Sequence, residues 1–337
     1  MPWRNTRDPY CIWLSEIMLQ QTQVATVIPY YERFLAKFPT VNALAAAHQD
    51  DVLKLWSGLG YYSRARNLHR GAQLVAGRFG GKVPDSAELI REVPGIGQYT
   101  AGAVLSIAFG KAEPLVDGNV ARVLSRLFLI KGDYRNTSGK ENVWTVAREL
   151  VAAVPRYGDP GDYNQALMEL GATLCSPRSP ACDQCPLAKH CLANKGGLQQ
   201  AFPELAERKA SPTWKLRAWV VEDEKGRVLF AQRHSSGLFG GLWEVPTERI
   251  QKTEKSARVH TSKRIKHVLT HRVLDIEIKH SPHAGWHARE TAPELFACWS
   301  GNYTQYRWLP VDAARSGKEI ALSSVQQAIL RGWSERK

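Results

Sequence analysis

The spacing of hydrophobic residues divides the chain into a helical part and a mixed part. Through residues 1–195, apolar residues recur at helical spacing, and Gly and Pro separate the apolar stretches. This pattern predicts helices in VATVIPYYERFLAKF, DVLKLWSGL, AELIREV, TAGAVLSIAF, VARVLSRLFLI and VWTVARELVAAV. The first part of the chain is therefore predicted to be almost wholly α-helical.

A different pattern begins after residue 195. Residues 196–212 are interpreted as a linker, and WKLRAWVVEDEKGRVLFAQR then predicts two strands joined by a turn at EDEKG. The stretch RIKHVLTHRVLDIEIKH alternates like one further long strand, and SSVQQAILRGW predicts a closing amphipathic helix. We therefore expect an all-α domain at 1–195, a linker at 196–212 and a separate α+β domain at 213–337.

Charge adds a hint about the partner. Lys and Arg number 45 against 32 Asp and Glu, a net charge of +13, which favours a polyanion such as nucleic acid. A merely basic soluble protein fits this charge as well. The start MPWRNTRDPY has no apolar segment typical of a signal peptide, and no apolar run approaches the length of a membrane span. These features predict a cytoplasmic protein with reduced thiols and no membrane partner.

Four of the six cysteines lie close together, in CSPRSPACDQCPLAKHC. Their spacing is C-x6-C-x2-C-x5-C, and four thiols this close in a reduced protein indicate a metal site. Zinc is the simplest occupant, but the long outer spacings favour an iron–sulfur cluster. The other two cysteines are interpreted as ordinary buried thiols, Cys11 and Cys298. The candidate ligands are Cys175, Cys182, Cys185 and Cys191.

Two carboxylates are candidates for chemistry. Glu16 lies within the apolar stretch DPYCIWLSEIMLQQTQV, and a helix would place it on one face with Ile12 and Leu19. Such surroundings raise a carboxyl pKa and produce a general acid; a salt bridge to an Arg such as Arg4 is the structural alternative. Asp117 precedes the helical stretch in EPLVDGNVARVLSRLF, where it is either an N-cap or the functional partner of Glu16.

The segment LIREVPGIGQYTAGAVLSIAFG predicts a helix, a hairpin near residues 93–99 and a second helix. Gly95 and Gly97 permit a tight turn and leave backbone N–H groups at a helix N-terminus, where they can hold a DNA phosphate. An ordinary helix-to-helix turn is the alternative. Within a basic, helical chain this segment favours a helix-hairpin-helix motif.

Taken together, these motifs resemble a known family. SEIMLQQTQV, GLGYYSRARNLH, VPGIGQYTAGAVLSIAFG, VDGNVARVLSR and the four cysteines closely resemble the MutY-type adenine DNA glycosylases of the endonuclease III superfamily. The resemblance is dense over residues 2–195 and looser beyond. It implies two helical lobes with the active site between them, a [4Fe-4S] cluster bound by the loop 175–191, and a Nudix-like domain for lesion recognition. A monomer acting on double-stranded DNA at the bacterial nucleoid is expected.

The resemblance also implies a reaction, the removal of adenine opposite 8-oxoguanine or guanine. It implies that Glu16 protonates adenine and then activates water, and that Asp117 stabilises the sugar cation, by charge or through a transient covalent bond. Tyr99 stands where strand-cutting relatives carry a Schiff-base Lys, so we expect hydrolysis alone. A bifunctional glycosylase/lyase, a zinc-bearing DNA-binding module and a nucleotide-pool hydrolase are the alternatives.

Further residues match family positions that contact DNA. Gln21 and Tyr61 match residues that enter the base stack around 8-oxoguanine, although Tyr61 also fits a core aromatic. The second domain lacks the hydrolase signature of Nudix enzymes, so it is expected to bind and not to hydrolyse. Matches around the adenine pocket are Trp3, Arg4 and Gln165; matches in the lesion-reading loop are Thr270 and His271; candidate phosphate contacts, or else a solvated face, are Arg64, Arg66 and Arg70.

Overall fold

A computed structural model describes residues 1–207, 210–250, 263–282 and 301–334. The predicted buried thiol Cys298 lies outside these residues. Two compact units divide the chain. The first unit contains Met1–Ala46 and Asn67–Arg208, and the second contains Ala47–Arg66 and Lys209–Lys337. None of the helices in the described residues has the length and apolar character that crossing a membrane requires.

The first unit is built from helices joined by turns and loops. Helix α4 belongs to the second unit, and α5 begins there and continues into the first. The helices of residues 1–207 are α1 (Pro9–Leu19), α2 (Val24–Lys37), α3 (Val41–Ala45), α4 (Gln49–Trp56), α5 (Ser63–Phe79), α6 (Ala87–Ile90), α7 (Gln98–Phe109), α8 (Gly118–Phe128), α9 (Thr137–Ala153), α10 (Pro160–Thr173) and α11 (Leu192–Lys195).

Two of these helices, α1 and α7, form the centre of the first unit. Helix α1 begins after Asp8, whose side chain accepts a hydrogen bond from the Cys11 N–H, and most of its residues are buried. Trp13 is fully buried, and a Cβ on Gly71 would come within 2.9 Å of the Trp13 ring. Because both helices are apolar on nearly every side, a polar side chain in the middle of either helix points into the interior or into a cavity.

The predicted helices are confirmed, and further helices, among them α5 and α10, were not predicted. The sequence of α5, SRARNLHRGAQLVAGRF, is mostly polar and basic. Helix α10 begins with the pair Pro160 and Gly161, which reads as a turn in sequence but occupies the first helical turn here. Cys11, in the first turn of α1, is half-buried and not buried as predicted.

The second unit contains a seven-stranded sheet in its described residues. The order is β3-β2-β1-β6-β5, with β4 paired to β1 and β7 paired to β2. Only β1 and β6 run parallel to each other. The strands are β1 (Thr213–Glu222), β2 (Arg227–Arg233), β3 (Trp243–Glu244), β4 (Thr247–Arg249), β5 (Lys263–Leu269), β6 (Arg272–Pro282) and β7 (Tyr303–Pro310).

One face of this sheet forms the main core of the unit. Val220, Phe230 and Ile276 on this face pack against Ile329 and Leu330 of the last helix. The helices that follow β7 are α12 (Val311–Arg315) and α13 (Ser324–Ser334). The predicted closing helix and the first two strands are thus confirmed.

The prediction of one long strand over RIKHVLTHRVLDIEIKH is wrong. The segment forms two antiparallel strands, β5 and β6, in which Leu269 pairs with Arg272. The reversal occurs at Thr270 and His271, which carry none of the Gly, Pro or Asn signals of a tight turn. Alternation continues on both sides of the turn, and this continuity made the two strands look like one.

Residues 47–66 join the second unit through specific hydrogen bonds. Gln232 Nε2 donates to Asp50 at 3.0 Å, and the Tyr62 hydroxyl donates to the Leu322 carbonyl at 3.0 Å. Arg66 donates to the Gly240 carbonyl at 2.6 Å. The sequence did not indicate this association, since its partners lie more than 170 residues away along the chain. The linker at 196–212 remains a prediction.

Candidate active site

A cavity of about 780 Å³ lies in the first unit, among residues of α1, α7, α8 and α10. The candidate catalytic residues Glu16, Tyr99 and Asp117 all line it. Residues that are distant in sequence are thus brought to one space. Other predicted site residues in its wall are Trp3, Arg4, Gln21 and Gln165.

Glu16 projects from the central helix α1 and is only 5% exposed. Its carboxyl accepts a hydrogen bond from the Tyr99 hydroxyl, with 2.7 Å between the oxygens. The pKa of Glu16 is raised to about 7: burial is the main cause, the Tyr99 hydrogen bond acts against it, and the charges of Asp117 and Arg4 raise and lower the pKa by smaller amounts. A carboxyl in this state exchanges a proton near neutral pH, as a general acid requires.

Tyr99 lies in the first turn of α7, directly after the hairpin. Its hydroxyl also contacts the Met168 sulfur at 3.3 Å, and burial raises the pKa of Tyr99. The phenol therefore keeps its proton and donates a hydrogen bond to Glu16. No lysine lines the cavity among the described residues.

Asp117 is both an N-cap and a cavity residue, so the two interpretations of the sequence are compatible. Its carboxylate accepts the Val120 N–H at 2.7 Å and the Asn119 side-chain amide at 3.0 Å. Burial raises the pKa of Asp117, and these two donors, together with Arg122, act against that shift. Hydrogen bonds of this kind stabilise the charged form of a carboxylate.

The alternative role for Glu16, a salt bridge to Arg4, is not observed. Arg4 pairs instead with Glu169 of α10, 3.7 Å away at the wall of the cavity. Trp3 is buried and meets Tyr31 edge-to-face, with ring centroids 5.3 Å apart. The arrangement leaves Glu16 with a neutral donor, and this is why burial dominates its pKa.

The hairpin has the geometry that its glycines predict. Gly95 has φ +86°, and a Cβ there would approach the Asn67 Cβ to 2.8 Å. Gly97 is the N-cap residue of α7 and has no side chain to satisfy the first N–H groups of that helix. A 12-residue helix with a bare N-terminus can accept an anion at this end.

The four cysteines of the 175–191 loop face a common space. The thiols of Cys175, Cys182 and Cys191 each raise the pKa of Cys185, in addition to the effect of burial. All four are half-buried and none forms a disulfide. Within the described residues, no three His, Cys, Asp or Glu side chains have the spacing of a single-ion site. The cysteines of a four-iron cluster each bind a different iron.

A buried cation supports this loop. Arg126 is 3% exposed, donates to the Cys175 sulfur at 3.3 Å, and also donates to the carbonyls of Ser176 and Pro177 at 2.7 and 2.9 Å. No carboxylate among the described residues pairs with Arg126. A positive group aimed at cysteine sulfur suits thiolates that carry an iron–sulfur cluster.

Three predicted DNA-contacting residues lie in the second unit. The Tyr61 hydroxyl hydrogen-bonds the Thr270 hydroxyl, and both side chains are exposed. Tyr61 is therefore not a core aromatic. Together with the exposed His271 these residues line a cavity of about 320 Å³.

Backbone strain marks two of the predicted intercalating residues. Gln21 has φ +55° and Tyr61 has φ +48°, a left-handed conformation that costs free energy for side chains other than glycine. Such strained residues concentrate at functional sites. Sequence alone gave no sign of either conformation, because neither Gln nor Tyr favours it.

The three arginines proposed as phosphate contacts differ from one another. Arg64 is buried, donates to the Gly60 carbonyl at 3.2 Å, and stacks its guanidinium near the Trp56 and Tyr61 rings. The alternative of a solvated face therefore does not hold for Arg64, and its contact with a phosphate remains a prediction. The spacing of the three arginines along a helix could not show that Arg64 lies beside aromatic rings in the fold.

Sequence reasoning missed two residues of the active-site cavity. Asn119 orients Asp117 through its amide, and Met168 contacts the Tyr99 hydroxyl. The motif VDGNVAR contains Asn119 two positions after Asp117, a signal that was available. Met168 carried no signal, because α10 itself was not predicted.

Three segments of the chain match known protein families. Residues 14–149 match the HhH-GPD superfamily of base excision DNA repair proteins, residues 175–191 match the iron–sulfur binding domain of endonuclease III, and residues 217–332 match the NUDIX domain. The chain is similar to the structure of a thermostable thymine-DNA glycosylase, with 34% identity, a TM-score of 0.51, and coverage of 58% of this chain and 88% of the other. The fold is thus a helix-hairpin-helix glycosylase core with a [4Fe-4S] cluster loop and a Nudix-like domain.

Full-length relatives define the family. The chain is 40% identical to human adenine DNA glycosylase, over 77% of this chain and 56% of the human protein. It is 36% identical to adenine DNA glycosylase of Buchnera aphidicola subsp. Baizongia pistaciae, over 82% of this chain and 80% of the relative. The chain belongs to the adenine DNA glycosylase family. It spans less than three fifths of the length of the mammalian relatives that it matches.

Proposed function

We propose that this chain removes adenine from duplex DNA in which adenine is paired with 8-oxoguanine or guanine, by hydrolysis of the N-glycosidic bond. The observation that carries the proposal is the Glu16 carboxyl, buried in a cavity, with a pKa of about 7 and Asp117 in the same wall. Two carboxylates with different surroundings are what hydrolysis of a glycosidic bond requires.

In this proposal Glu16 donates its proton to adenine. Adenine is a poor leaving group as an anion, so protonation at N7 lets the bond to the sugar break with the electron pair on the base. The resulting oxocarbenium ion is positive, and Asp117 stabilises it by charge or by a transient covalent bond. Glu16, now ionised, then takes a proton from the attacking water. Base flipping brings adenine out of the stack into the cavity.

The neighbouring side chains position these two groups. Tyr99 holds one oxygen of Glu16, and Asn119 holds one oxygen of Asp117. The residues at the wall of the cavity, Arg4 and Gln165, offer polar groups to the edge of the flipped base. Trp3 supplies a buried aromatic surface beside it.

The cysteine loop has a supporting part in the proposal. Cys175, Cys182, Cys185 and Cys191 hold the [4Fe-4S] cluster, which supplies redox-active iron where it is bound. The two carboxylates suffice for hydrolysis, and no step of base release depends on the cluster. Arg126 keeps a positive charge at the Cys175 sulfur.

We assign reading of the opposite base to Tyr61, Thr270 and His271, with Gln21 entering the stack. The Thr270 hydroxyl can donate to or accept from a polar group of 8-oxoguanine, and Tyr61 offers a strained, exposed ring to the bases. The lack of the hydrolase signature supports a domain that binds and does not hydrolyse.

The proposal is tested with defined duplexes. The purified chain is incubated with adenine opposite 8-oxoguanine, guanine or thymine, and the products are separated with and without alkali. We expect adenine release from the first two, and strand cleavage only after alkali. Strand cleavage without alkali, trapped by borohydride, would support the bifunctional glycosylase/lyase instead, and absence of base release would favour a DNA-binding module.

A further inference from the structure

Two arginines and a tryptophan come together at one end of β1, β4 and β6, beside the turn formed by Thr270 and His271. Trp214 of β1 has the Arg249 guanidinium 4.4 Å and the Arg272 guanidinium 3.9 Å from its ring centroid. Arg249 reaches the ring from β4 and Arg272 from β6, the neighbours of β1 on its two edges. We call these three residues the Trp214 cluster.

The two arginines have no acidic partner among the described residues. Neither forms an ion pair there, and the buried Arg272 Nε has no hydrogen-bond partner. Side chains alternate between the faces of a sheet. Glu248 shares β4 with Arg249, and Glu277 shares β6 with Arg272. Both glutamates lie on the face of the sheet opposite the two arginines, where they pair with Arg217. The Trp214 cluster therefore presents two positive charges that no described carboxylate offsets.

Stacking on an aromatic ring holds a guanidinium in place without using its N–H donors. A cation over Trp is attracted to the face of the ring, so the side chain is already ordered before any ligand arrives. The free donors of such an arginine match the two oxygens of a phosphate. Two arginines fixed on one ring are thus suited to a polyanion with regularly spaced phosphates.

The position of the cluster identifies the polyanion. Arg272 directly follows His271 and pairs with Leu269 across the turn, so the cluster adjoins the turn whose Thr270 contacts Tyr61. We propose that Arg249 and Arg272, held by Trp214, bind backbone phosphates of the DNA strand whose base is read by that turn. This inference rests on the proposed function, in which the chain binds duplex DNA.

Salt dependence of binding tests this proposal. The Kd of the full chain for a duplex with adenine opposite 8-oxoguanine is measured over a series of salt concentrations. Each phosphate contact contributes about 0.9 to the slope of log K against log salt. Loss of a phosphate contact makes the dependence on salt shallower. We expect the magnitude of the slope to fall by about 0.9 in the Arg249→Gln variant and by about 1.8 in the Arg249→Gln/Arg272→Gln variant. Unchanged slopes in both would overturn the proposal.

Two controls separate a phosphate contact from a role in folding. Arg307 of β7 lies over the Trp243 ring at 5.0 Å and is exposed, so Arg307→Gln removes a similar cation–π contact away from the turn. Its slope should equal that of the unaltered chain. The Arg249→Lys/Arg272→Lys variant keeps both charges and should restore the slope. If the double Gln variant does not fold, the exposed Arg249 alone decides the outcome.

Further arms distinguish the possible failures. If the unaltered chain releases adenine but the slopes coincide, the cluster does not bind phosphate and the proposed function stands. If the variants lower the magnitude of the slope but the unaltered chain never releases adenine, phosphate binding by the cluster is supported and the proposed glycosylase function is contradicted. Competition by millimolar dGTP at constant ionic strength, lost in the double Gln variant, would assign the cluster to a free nucleotide and overturn the DNA proposal.

Discussion

The Tyr99 hydroxyl donates a hydrogen bond to a Glu16 carboxyl oxygen 2.7 Å away, across 83 residues of sequence. This bond lowers the pKa of Glu16, while burial raises that pKa more strongly, to about 7. The pKa of Glu16 is therefore set mainly by two opposing effects, burial and the hydrogen bond from Tyr99. Changing either residue should change the pH at which the reaction runs.

The first prediction concerns Glu16→Gln. The amide fills the same space but donates no catalytic proton, so single-turnover adenine release should be lost while duplex binding stays close to that of the unaltered chain. Rates are measured by quenched single-turnover assays and binding by fluorescence anisotropy. Release at a rate near that of the unaltered chain would exclude Glu16 as the general acid.

The same variant makes a prediction about stability. The pKa of Glu16 is about 7 in the folded chain against 4.5 ordinarily, so the folded state binds this proton more tightly. The contribution of neutral Glu16 to the free energy of unfolding is fully present below pH 4.5 and is lost as the pH rises through 7. At about 1.4 kcal/mol per pKa unit, ionising Glu16 costs about 3 kcal/mol. Glu16→Gln should therefore unfold at higher denaturant at pH 8, with the advantage vanishing near pH 4.5.

A third prediction separates positioning from chemistry at Tyr99. Tyr99→Phe removes the hydrogen bond that lowers the pKa of Glu16, so the falling limb of the pH–rate profile should move to higher pH. Tyr99→Lys places an amine in the cavity and should allow some borohydride-trapped complex with DNA. An unshifted profile in Tyr99→Phe would mean that the phenol does not act on the Glu16 proton.

Asp117 allows its two roles to be measured apart. Asn is as good an N-cap as Asp, so Asp117→Asn should keep the melting temperature while base release falls steeply. Asp117→Ala should lose the cap as well, at about 1 kcal/mol of stability. The comparison uses thermal unfolding and single-turnover rates of both variants. If Asp117→Asn released adenine at the rate of the unaltered chain, Asp117 would act only as the N-cap of α8.

The sequence was a better guide to the chemistry than to the geometry. Glu16 and Asp117 could be chosen because a carboxylate in an apolar stretch and another before a helix are visible in one dimension. The strained backbones of Gln21 and Tyr61, and the contact of Tyr61 with Thr270, could not, because they depend on residues far apart in the chain. Helix α5 was missed because most of its residues are polar or basic.

The last prediction concerns the turn at Thr270 and His271. A lost hydrogen bond to a specific group costs about 1–3 kcal/mol, so Thr270→Ala/His271→Ala should weaken the preference for 8-oxoguanine over guanine opposite adenine by about tenfold. Rates on the two duplexes are compared in parallel, and release opposite guanine should change much less. Tyr61→Phe is the matched control, since it removes only the hydroxyl that contacts Thr270. Equal losses on both duplexes would mean that the turn supports folding or general DNA affinity, and unchanged discrimination would assign lesion reading to Gln21 and the Tyr61 ring.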